Sequence, residues 1–376
     1  MTDGETLLVR GIGQEVVERM RAAGGTGPDD KPEKWDWIPI NPEALKRVYD
    51  DMVVESGAIL RLATAVVDVM KFGDKIACAV LAGREGPYAV EAGVFIDATG
   101  DATLSVAAGA DTELGENGET MPPSLCANFA GIDWEKYKAD RPNVKKLYMK
   151  AIEDGAIETP DPHLVGAKAI GRTLSGLNIN HVCGINGADD ADLTRGLVTG
   201  RKQLPEFLQF YRDYVPGFKN AELAASAGLL GVRETRRVVG EYVLNIEDFK
   251  ARRKFDDDIG LYNYPVDIHP SSMSKEDQEK FEREFHGEFK MGKGESYGIP
   301  YLSLVVKGSS NLLVAGRCFS TDRMVQSSAR VMPACWLTGQ AAGTAAALCA
   351  QYAVPPRELG AETLRATLRQ AGAYLP

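Results

Sequence analysis

The stretch that decides the fold reads NLLVAGRCFSTDRMVQSSARVMPACWLTGQAAGTAAA and covers residues 311–347. It opens with a short apolar run that ends in glycine, which is typical of a buried strand followed by a tight turn. From Pro333 onward the pattern predicts one helix to about Ala353. Gly339 and Gly343 leave one side of this helix flat. Such a side packs closely on another helix or lies against a planar ring, and the helix N-terminus would stabilise negative charge on that ring.

A second strand–turn–helix unit lies at residues 94–102, which read VFIDATGDA. Small residues at the end of a strand let the backbone of a ligand approach closely. A helix-like segment, 103–110, follows, and a helix N-terminus at this place favours a phosphate or a carbonyl group. The same pattern also fits a plain strand–turn–helix corner, so both interpretations stay open.

The N-terminal residues match a dinucleotide-binding loop only in part. Residues 6–9 form a short apolar run before Gly11-Ile12-Gly13, but Val16 stands where the third glycine belongs. Asp29 lies in a loop rich in proline and glycine and not at the tip of a second strand. We therefore expect a loop that enters an amphipathic helix at residues 12–24.

The remaining pattern predicts an α/β protein. Asn41 caps a helix at 42–55, and three strand-like runs between residues 59 and 97 indicate a β-meander. Residues 114–300 contain longer polar loops and most of the aromatic residues, and the last part returns to α/β character. This change in composition predicts domain boundaries near residues 113 and 300.

Composition excludes several classes of protein. Apolar residues make up 44% and charged residues 26%, an ordinary globular balance that excludes a disordered chain. The formal charge of −10 and the lack of a basic cluster argue against a nucleic-acid partner. The most apolar stretch, 337–354, carries polar residues and would be a poor membrane span. Residues 1–14 show no secretion signal, so we expect a cytoplasmic protein.

The cysteine spacing gives no support for a metal or an iron–sulfur cluster. The sequence contains no CxxC, no ferredoxin-like run and no zinc pair. We expect reduced, mostly buried thiols. The six cysteines are Cys78, Cys126, Cys183, Cys318, Cys335 and Cys349.

Together these motifs resemble the FAD-dependent oxidoreductases of the glutathione-reductase-like superfamily. The resemblance is closest to the bacterial branch compared with the flavin subunit of heterodisulfide reductase. It implies an FAD/NAD(P)-binding Rossmann-like domain with a β-meander at 1–113 and 301–376, and an inserted α+β substrate domain at 114–300. The segments that carry it are IDATGDATLSVAAGA (96–110), GVRETRRVVGEYVL (231–244), YPVDIH (264–269) and residues 311–347.

One departure from that family matters. Its members open with a strand, a GxGxxG turn, a helix and a second strand ending in Glu, which hold the FAD pyrophosphate and ribose. Here residues 1–10 resemble the segment that leads into a later helix of the family. We therefore expect an incomplete Rossmann-like domain in a truncated or split polypeptide, with weak or absent FAD binding. We also expect poorly covered apolar residues at 7–9, 94–96 and 312–314, and hence a partner chain carrying the missing βαβ unit, or a homo-oligomer.

The resemblance assigns the cofactor contacts. The segment that ends at Val66 would lie near the adenine, the turn after residue 97 would line the dinucleotide, and the turn at 316–317 would approach the ribityl or pyrophosphate part. The start of the C-terminal helix would face the pyrimidine edge of the flavin. The predicted cofactor-binding residues are Val66, Ala98, Thr99, Gly100, Asp101, Gly316, Arg317, Met332, Pro333, Gly339 and Gly343.

Polar residues of these segments are the candidates for catalysis and substrate binding. Arg233, Arg236 and Arg237 are clustered, and Arg233 and Arg236 would suit a carboxylate or phosphate of the substrate, although a structural ion network of the cluster with Glu234 and Glu241 is the alternative. His269 is the preferred general base, His181 would line a polar pocket, and the resemblance places Arg330 beside the flavin ring.

The sequence thus predicts hydride transfer between a small-molecule substrate and FAD. The alternative is a non-catalytic interaction subunit that keeps the fold and has lost FAD. An NAD-dependent enzyme is disfavoured because the N-terminal glycine loop fails.

Overall fold

Two large hydrophobic cores and one small cluster organise the computed structural model, which describes residues 1–158, 166–270, 275–283, 287 and 289–376. The small cluster joins Val16, Met20, Ala44 and Val48. The larger core joins buried residues from before residue 110 to buried residues from 238 onward. The smaller core lies between Leu125 and Leu230. The chain therefore passes from one core to the other twice.

Buried residues on both sides of position 300 share the larger core. Ile259 and Ile299 belong to the larger core, together with the C-terminal residues. The physical reason is that the strand carrying Ile259 packs against two C-terminal helices and pairs with the strand carrying Ile299, which composition alone does not reveal. The described residues that form the smaller core end at Leu230.

The described helices include the ones that the sequence predicts. The helix predicted at 42–55 has these bounds, and the C-terminal helix begins and ends one residue earlier than predicted. No helix of the described residues is long and apolar enough to cross a membrane. The helices are α1 (Ile12–Ala22), α2 (Pro42–Glu55), α3 (Thr103–Ala107), α4 (Trp134–Asp140), α5 (Val144–Glu153), α6 (Asp190–Tyr214), α7 (Ile246–Lys250), α8 (Lys275–Arg283), α9 (Arg323–Ala329), α10 (Met332–Tyr352) and α11 (Ala361–Gln370).

The strands of the described residues form five small sheets. One is the predicted antiparallel meander in the order β1-β2-β3, and another is a parallel pair, β4 and β13. A four-stranded sheet in the order β7-β8-β6-β9 belongs to the smaller core. The strands are β1 (Ala65–Phe72), β2 (Lys75–Gly83), β3 (Gly86–Glu91), β4 (Phe95–Asp97), β5 (Thr112–Leu114), β6 (Ala127–Ala130), β7 (Ala167–Ala169), β8 (Ser175–Leu177), β9 (Glu222–Ser226), β10 (Arg236–Val238), β11 (Asp258–Tyr262), β12 (Tyr297–Pro300) and β13 (Leu312–Val314).

The glycine-rich N-terminal segment leads into α1, as predicted, and α1 packs against α10. The backbone N–H of Ile12 donates to Oε1 of Gln340 over 3.1 Å. Gly11 has a left-handed backbone with φ 61°, and a Cβ atom there would overlap the Gln340 amide. A side chain of α10 therefore occupies the place where a dinucleotide loop would hold a phosphate.

The parallel strands are well covered, which contradicts the expectation of poorly covered apolar residues. Leu8, Val9 and Phe95 are buried, and all of β13 is inaccessible to solvent. The expectation was wrong because α10 packs on both parallel strands, while Leu8 lies among apolar residues of β11, α10 and α11. Large exposed apolar side chains do occur before and within the meander, and Ile59 and Phe72 are 82% and 76% exposed.

Candidate functional site

Side chains of the turn after β4 accept hydrogen bonds from backbone N–H groups at the start of α3. The Asp97 carboxylate is buried and accepts hydrogen bonds from the backbone N–H groups of Thr99 and Ser105, over 3.0 and 2.8 Å, and from both of their hydroxyls. The N–H of Thr103 donates to the Thr99 hydroxyl over 2.9 Å. Side chains of the turn therefore occupy the N–H donors of Thr103 and Ser105 at this helix start, which favours the plain strand–turn–helix corner over a phosphate site.

Asp101 is the point where three segments meet. Its Oδ1 lies 2.5 Å from Nη2 of Arg317 and accepts the Thr235 hydroxyl over 2.8 Å. Its backbone carbonyl accepts from Nη1 of Arg236 over 3.4 Å. A Cβ atom at Gly100, where φ is +77°, would lie 2.6 Å from Nη1 of Arg317. Of the predicted residues, Gly100, Asp101, Arg236 and Arg317 are thus brought together here.

The turn after β13 is held against the first turns of α10. The N–H of Gly316 donates to the Thr338 hydroxyl over 3.0 Å, and a Cβ atom at Gly316 would touch Sγ of Cys335 at 3.9 Å. Gly316 adopts φ +78°, which favours glycine. The predicted contacts at 316–317 therefore lie next to the start of α10.

One side of α10, which we call its open face, is uncovered at Met332, Gly339 and Gly343, while Trp336 on the same side contacts Tyr49 of α2. Met332 is 44% exposed, Pro333 is half-buried, and Gly339 and Gly343 are exposed. A Cβ atom added at either glycine would meet no described atom within 4 Å. The predicted residues Ala98 and Thr99 are also exposed, whereas Val66 is half-buried and packs on the larger core.

The second constellation is a buried group that we call the histidine cluster, formed by His181, His269, Asp267 and Arg330. Nε2 of His181 lies 3.0 Å from Nδ1 of His269, and the two rings stack at 4.9 Å between centroids. Nε2 of His269 lies 3.3 Å from Oδ1 of Asp267. Nη2 of Arg330 donates to the other oxygen, Oδ2, over 3.0 Å and to the Asp267 carbonyl over 3.1 Å.

Two more residues border the histidine cluster. The Tyr264 hydroxyl lies 3.5 Å from Oδ2 of Asp267. Arg233 is buried, donates to the Pro122 carbonyl over 2.7 Å and reaches Oδ1 of Asn178 at 3.3 Å. Three predicted residues, His181, His269 and Arg330, are therefore joined by contacts, with Arg233 close enough to act on their charges.

Burial and the two arginines set the charges in this cluster. Burial lowers the pKa of His269, and the nearby Arg233 charge lowers it further, against the opposing effect of Asp267. Burial alone would raise the pKa of Asp267, but the hydrogen bond from His269 and the charge of Arg330 outweigh it, so that the pKa falls below its usual value. Near neutral pH the cluster therefore holds a neutral His269 and an ionised Asp267.

Part of the alternative ion network forms beside the site, between Arg237 and Glu234, with Arg323 as a second cation. Glu234 is buried, and Arg237 and Arg323 approach its carboxylate at 3.1 and 3.0 Å. Arg233 and Arg236 form the separate contacts described above. Arg237 thus pairs with Glu234, whereas Arg236 contacts Asp101 and Arg233 lies near the histidine cluster.

Sequence reasoning missed Asp267 and Tyr264. A signal was available, because Asp267 and His269 stand two residues apart in one extended segment and such residues face the same side. The proximity of Arg330 to Asp267 had no local signal, since 63 residues separate them.

The structure fits the ring end of an FAD molecule better than its pyrophosphate end. The Nε atoms of Arg317 and Arg330 are buried without a hydrogen-bond partner among the described residues. Both arginines lie beside the start of α10, where the charge of each lowers the pKa of the Cys335 thiol against the larger effect of burial. No GxGxxG turn occurs in the 376 residues. No group of three metal-ligating side chains is found within the described part of the chain.

Comparison with known proteins identifies the family. No curated protein matches the sequence. Among solved structures, the chain is similar to a geranylgeranyl bacteriochlorophyll reductase-like protein from Thermoplasma acidophilum, with 11% identity over 92% of this chain and 66% of that chain and a TM-score of 0.43. It is similar to a triple mutant of the flavin-dependent brominase Bmp2, with 15% identity over 98% of this chain and 76% of that chain and a TM-score of 0.42. It is also similar to the myxobacterial chondrochloren halogenase CndH, with 14% identity over 98% of this chain and 70% of that chain and a TM-score of 0.40. The family described as FAD dependent oxidoreductase matches residues 1–368, and the chain belongs to this family.

Proposed function

We propose that the chain catalyses hydride transfer between a small-molecule substrate and FAD, with the histidine cluster as the place where the substrate is held and its proton is moved. The observation that carries this proposal is the buried contact between His269, Asp267 and Arg330, beside a helix start with two unpartnered guanidinium nitrogens. When bound, FAD supplies the hydride chemistry, and the protein supplies position and electrostatics.

The residues around the open face would hold the ring end of the cofactor. Arg317 is fixed by Asp101, so that its remaining donors can point at ring or ribityl oxygens without reorganisation. Met332 and Pro333 begin α10 and are accessible. The glycines of the open face allow a planar ring to approach because no side chain intervenes.

The pyrophosphate end of FAD needs donors from elsewhere, and a partner chain that carries a GxGxxG βαβ unit is our proposal for their source. The absence of this turn from the 376 residues supports it, as does the open face of α10. Each charge-assisted phosphate contact is worth roughly 1.5–3 kcal/mol, so the loss of several weakens binding by orders of magnitude. The heterodisulfide-reductase-like branch remains part of this proposal, on the residues that resemble it.

FAD titration of the purified chain tests the function. We expect weak quenching of flavin fluorescence by the chain alone and strong quenching after addition of a separately expressed βαβ fragment bearing GxGxxG. Reduction of the bound flavin by candidate substrates under anaerobic conditions then tests the activity. If neither preparation binds FAD, the proposed function fails and the non-catalytic subunit takes its place. Stoichiometric FAD in the isolated chain would remove the need for a partner.

The place of the flavin has its own test. Gly343→Leu should abolish FAD binding in the complemented protein while leaving the helical circular dichroism signal, because the new side chain would fill the open face. Ala350→Leu is the matched control, since Ala350 is exposed on the same helix near its far end. Equal FAD affinity in Gly343→Leu and the parent would show that α10 does not lie against the cofactor.

Arg330→Lys tests the catalytic side of the site. We expect a lower rate of flavin reduction and a shifted flavin potential, with a smaller change in FAD affinity, because lysine keeps the charge but loses the planar fork that reaches Asp267. An unchanged rate and potential would make Arg330 a purely structural residue.

A further inference from the structure

We propose that a cavity between the N-terminal segment and the loop at 27–40 binds a flat, uncharged ring, and that the indole of Trp37 is the surface on which this ring stacks. The binding itself concerns the protein as it stands. That the ring is part of the substrate of the flavin reaction rests on the proposed function. The inference thus names a substrate class, molecules with an aromatic or conjugated ring, and a residue that selects them.

The cavity has the size of a small-molecule site. Its volume is about 690 Å³, within the range of roughly 300–1,000 Å³ that such sites occupy. Residues from the segments 2–7 and 29–39 line it, and none of them belongs to the histidine cluster or to the open face of α10. The apolar side chains of the lining are Leu7, Trp35, Trp37, Ile38 and Pro39.

The charges around the cavity favour an uncharged ligand. Each carboxylate of the lining either has a partner or, like Glu33, is exposed to water, and Lys31 and Lys34 are exposed as well. The apolar walls therefore decide what binds, because a charged ligand would find no buried counter-charge there. The partnered acids are Glu5 with Lys293, Asp29 with Lys138, Asp30 with Arg21, and Asp36, which accepts the Thr2 N–H.

The loop is held in place on both sides of Trp37. The Gly27 N–H donates to the Pro39 carbonyl over 2.9 Å at the base of the loop. The Arg21 guanidinium stacks on Trp35 at 4.7 Å from the ring centroid, and the amino group of Met1 donates to the Trp35 carbonyl over 3.2 Å. The walls of the cavity are thus formed before any ligand is added.

Trp37 is displayed at a cost to the backbone. It has a left-handed backbone with φ 56°, which a bulky residue rarely adopts. Arg141 and Ala353 also have a positive φ, but they end helices, where this conformation is common. Trp37 ends no helix, and its side chain is 79% exposed. Strain of this kind is concentrated at functional sites, and here it presents an aromatic surface beside the cavity.

Trp37 also connects the cavity with the histidine cluster. Its ring lies 6.1 Å from the ring of Tyr264 between centroids, within the range of aromatic pairs. The Tyr264 hydroxyl in turn lies 3.5 Å from Oδ2 of Asp267. A ring stacked on Trp37 would therefore lie beside the residues to which the proposed function assigns the substrate.

Ligand-observed NMR titration of the purified chain tests the binding without any cofactor. The probes are 2-naphthol and decahydro-2-naphthol, which share a skeleton and a hydroxyl group but differ in flatness. We expect 2-naphthol to bind more tightly, and Trp37→Ala to weaken its binding by about 2- to 12-fold, the loss of one aromatic pair. Phe72→Ala is the matched control, because Phe72 is 76% exposed at another place and should not affect binding. Equal affinity of Trp37→Ala and the parent, or no binding by the parent, would overturn the proposal.

Trp37→Gly separates a side chain kept for a ligand from one kept for the fold. Glycine adopts a positive φ without strain, so we expect this variant to melt at no lower temperature than the parent while it loses affinity for 2-naphthol. Ala63→Gly is the control, since Ala63 is exposed with φ 52° and the change should leave binding unaltered. A melting temperature of Trp37→Gly well below that of the parent would contradict the argument from strain.

Nitrogen-15 NMR of the imidazole rings tests whether the bound ring lies beside the histidine cluster. Addition of 2-naphthol should shift the signals of His269 in the parent and not in Trp37→Ala, and His269→Gln identifies these signals among the four histidines. An unchanged spectrum on saturation with 2-naphthol would overturn the assignment of the ring to the substrate and leave the binding site intact. Failure of FAD binding would instead overturn the proposed function, and the titration with 2-naphthol would still decide the binding site.

Discussion

The histidine cluster and the open face of α10 lie in the same molecule but differ in how complete they are. In the cluster, Asp267 and Arg330 are about nine-tenths buried and hold each other by charge. On the open face, Gly339 and Gly343 have no described neighbour for an added Cβ atom. The cluster is assembled by the chain itself, whereas the open face presents a surface that the described residues leave uncovered.

This difference separates folding from cofactor binding. Removing one partner of a buried charge pair leaves the other charge buried and uncompensated, so single substitutions in the cluster should be costly without any ligand. Substitutions on an uncovered helix face should leave folding intact and act only when FAD or a partner is added. Four sets of stability measurements on the chain alone test this difference between the histidine cluster and the open face.

The largest effect is expected for Arg330→Met. It leaves the buried Asp267 carboxylate without its cation, which typically costs about 3–5 kcal/mol of unfolding free energy. Urea denaturation measures the loss. Lys150→Met is the control, because it removes the exposed ion pair with Asp154 and should change stability little. A loss below about 1 kcal/mol would mean that the cluster is not a preformed charge pair.

A second buried carboxylate extends the comparison because its side chain forms no ion pair within the described part of the chain, although Lys254 and Arg365 lie near enough to lower its pKa. Asp258 is 4% exposed, its Oδ1 has no hydrogen-bond partner among the described residues, and burial raises its pKa to about 7. The folded protein therefore binds a proton that the unfolded chain releases near its ordinary pKa of 3.8. The contribution of Asp258 to stability should therefore fall by about 2–4 kcal/mol as the pH rises from 4 to 7, against the rise that the lowered pKa of His269 gives over the same range.

The paired carboxylate should behave in the opposite way. Because the pKa of Asp267 is lowered, its contribution is present above pH 4 and is lost as the pH falls further. Urea denaturation across pH separates the two carboxylates. Asp258→Asn should remove the loss between pH 4 and 7, whereas Asp50→Asn, at an exposed position, should not. An unchanged pH dependence in Asp258→Asn would contradict the assignment.

An intermediate effect is expected where the chain meets the proposed cofactor site. Gly100→Ala places a Cβ atom 2.6 Å from Nη1 of Arg317 at a residue with φ +77°, which should cost about 1–3 kcal/mol. Gly86→Ala also has a positive φ but meets no atom within 4 Å, so it measures the backbone cost alone. Equal losses of thermal stability in the two variants would show that Arg317 moves aside freely.

The smallest effect has the opposite sign. Gly343→Ala should stabilise the chain by about 0.5–1 kcal/mol, because alanine favours a helix and its Cβ atom meets no described atom. Gly196→Ala in α6 is the control, since a Cβ atom there would lie 2.6 Å from Cδ1 of Leu230 and should destabilise. A lower melting temperature for Gly343→Ala would mean that the open face is packed in solution.

Local sequence patterns predict helices and strands that the structure contains, and the resemblance of several segments predicts the family. The start of α2 at Pro42 follows from Asn41, whose side chain accepts the Glu43 N–H, and α10 follows from Pro333 and the alanine-rich run behind it. The strands of the meander follow from apolar runs separated by glycine turns. Each of these patterns acts between residues that are close along the chain, which is why a sequence shows them.

The contacts between the side chains of the histidine cluster depend on long-range packing. His181 and His269 are 88 residues apart, and Asp267 and Arg330 are 63 apart, so their contacts depend on how the smaller core and α9 pack around residues 264–269. The same packing decides that Asp267 has a cation while Asp258 has none at Oδ1. No local pattern encodes these distances, because long-range packing fixes them only after the elements have formed.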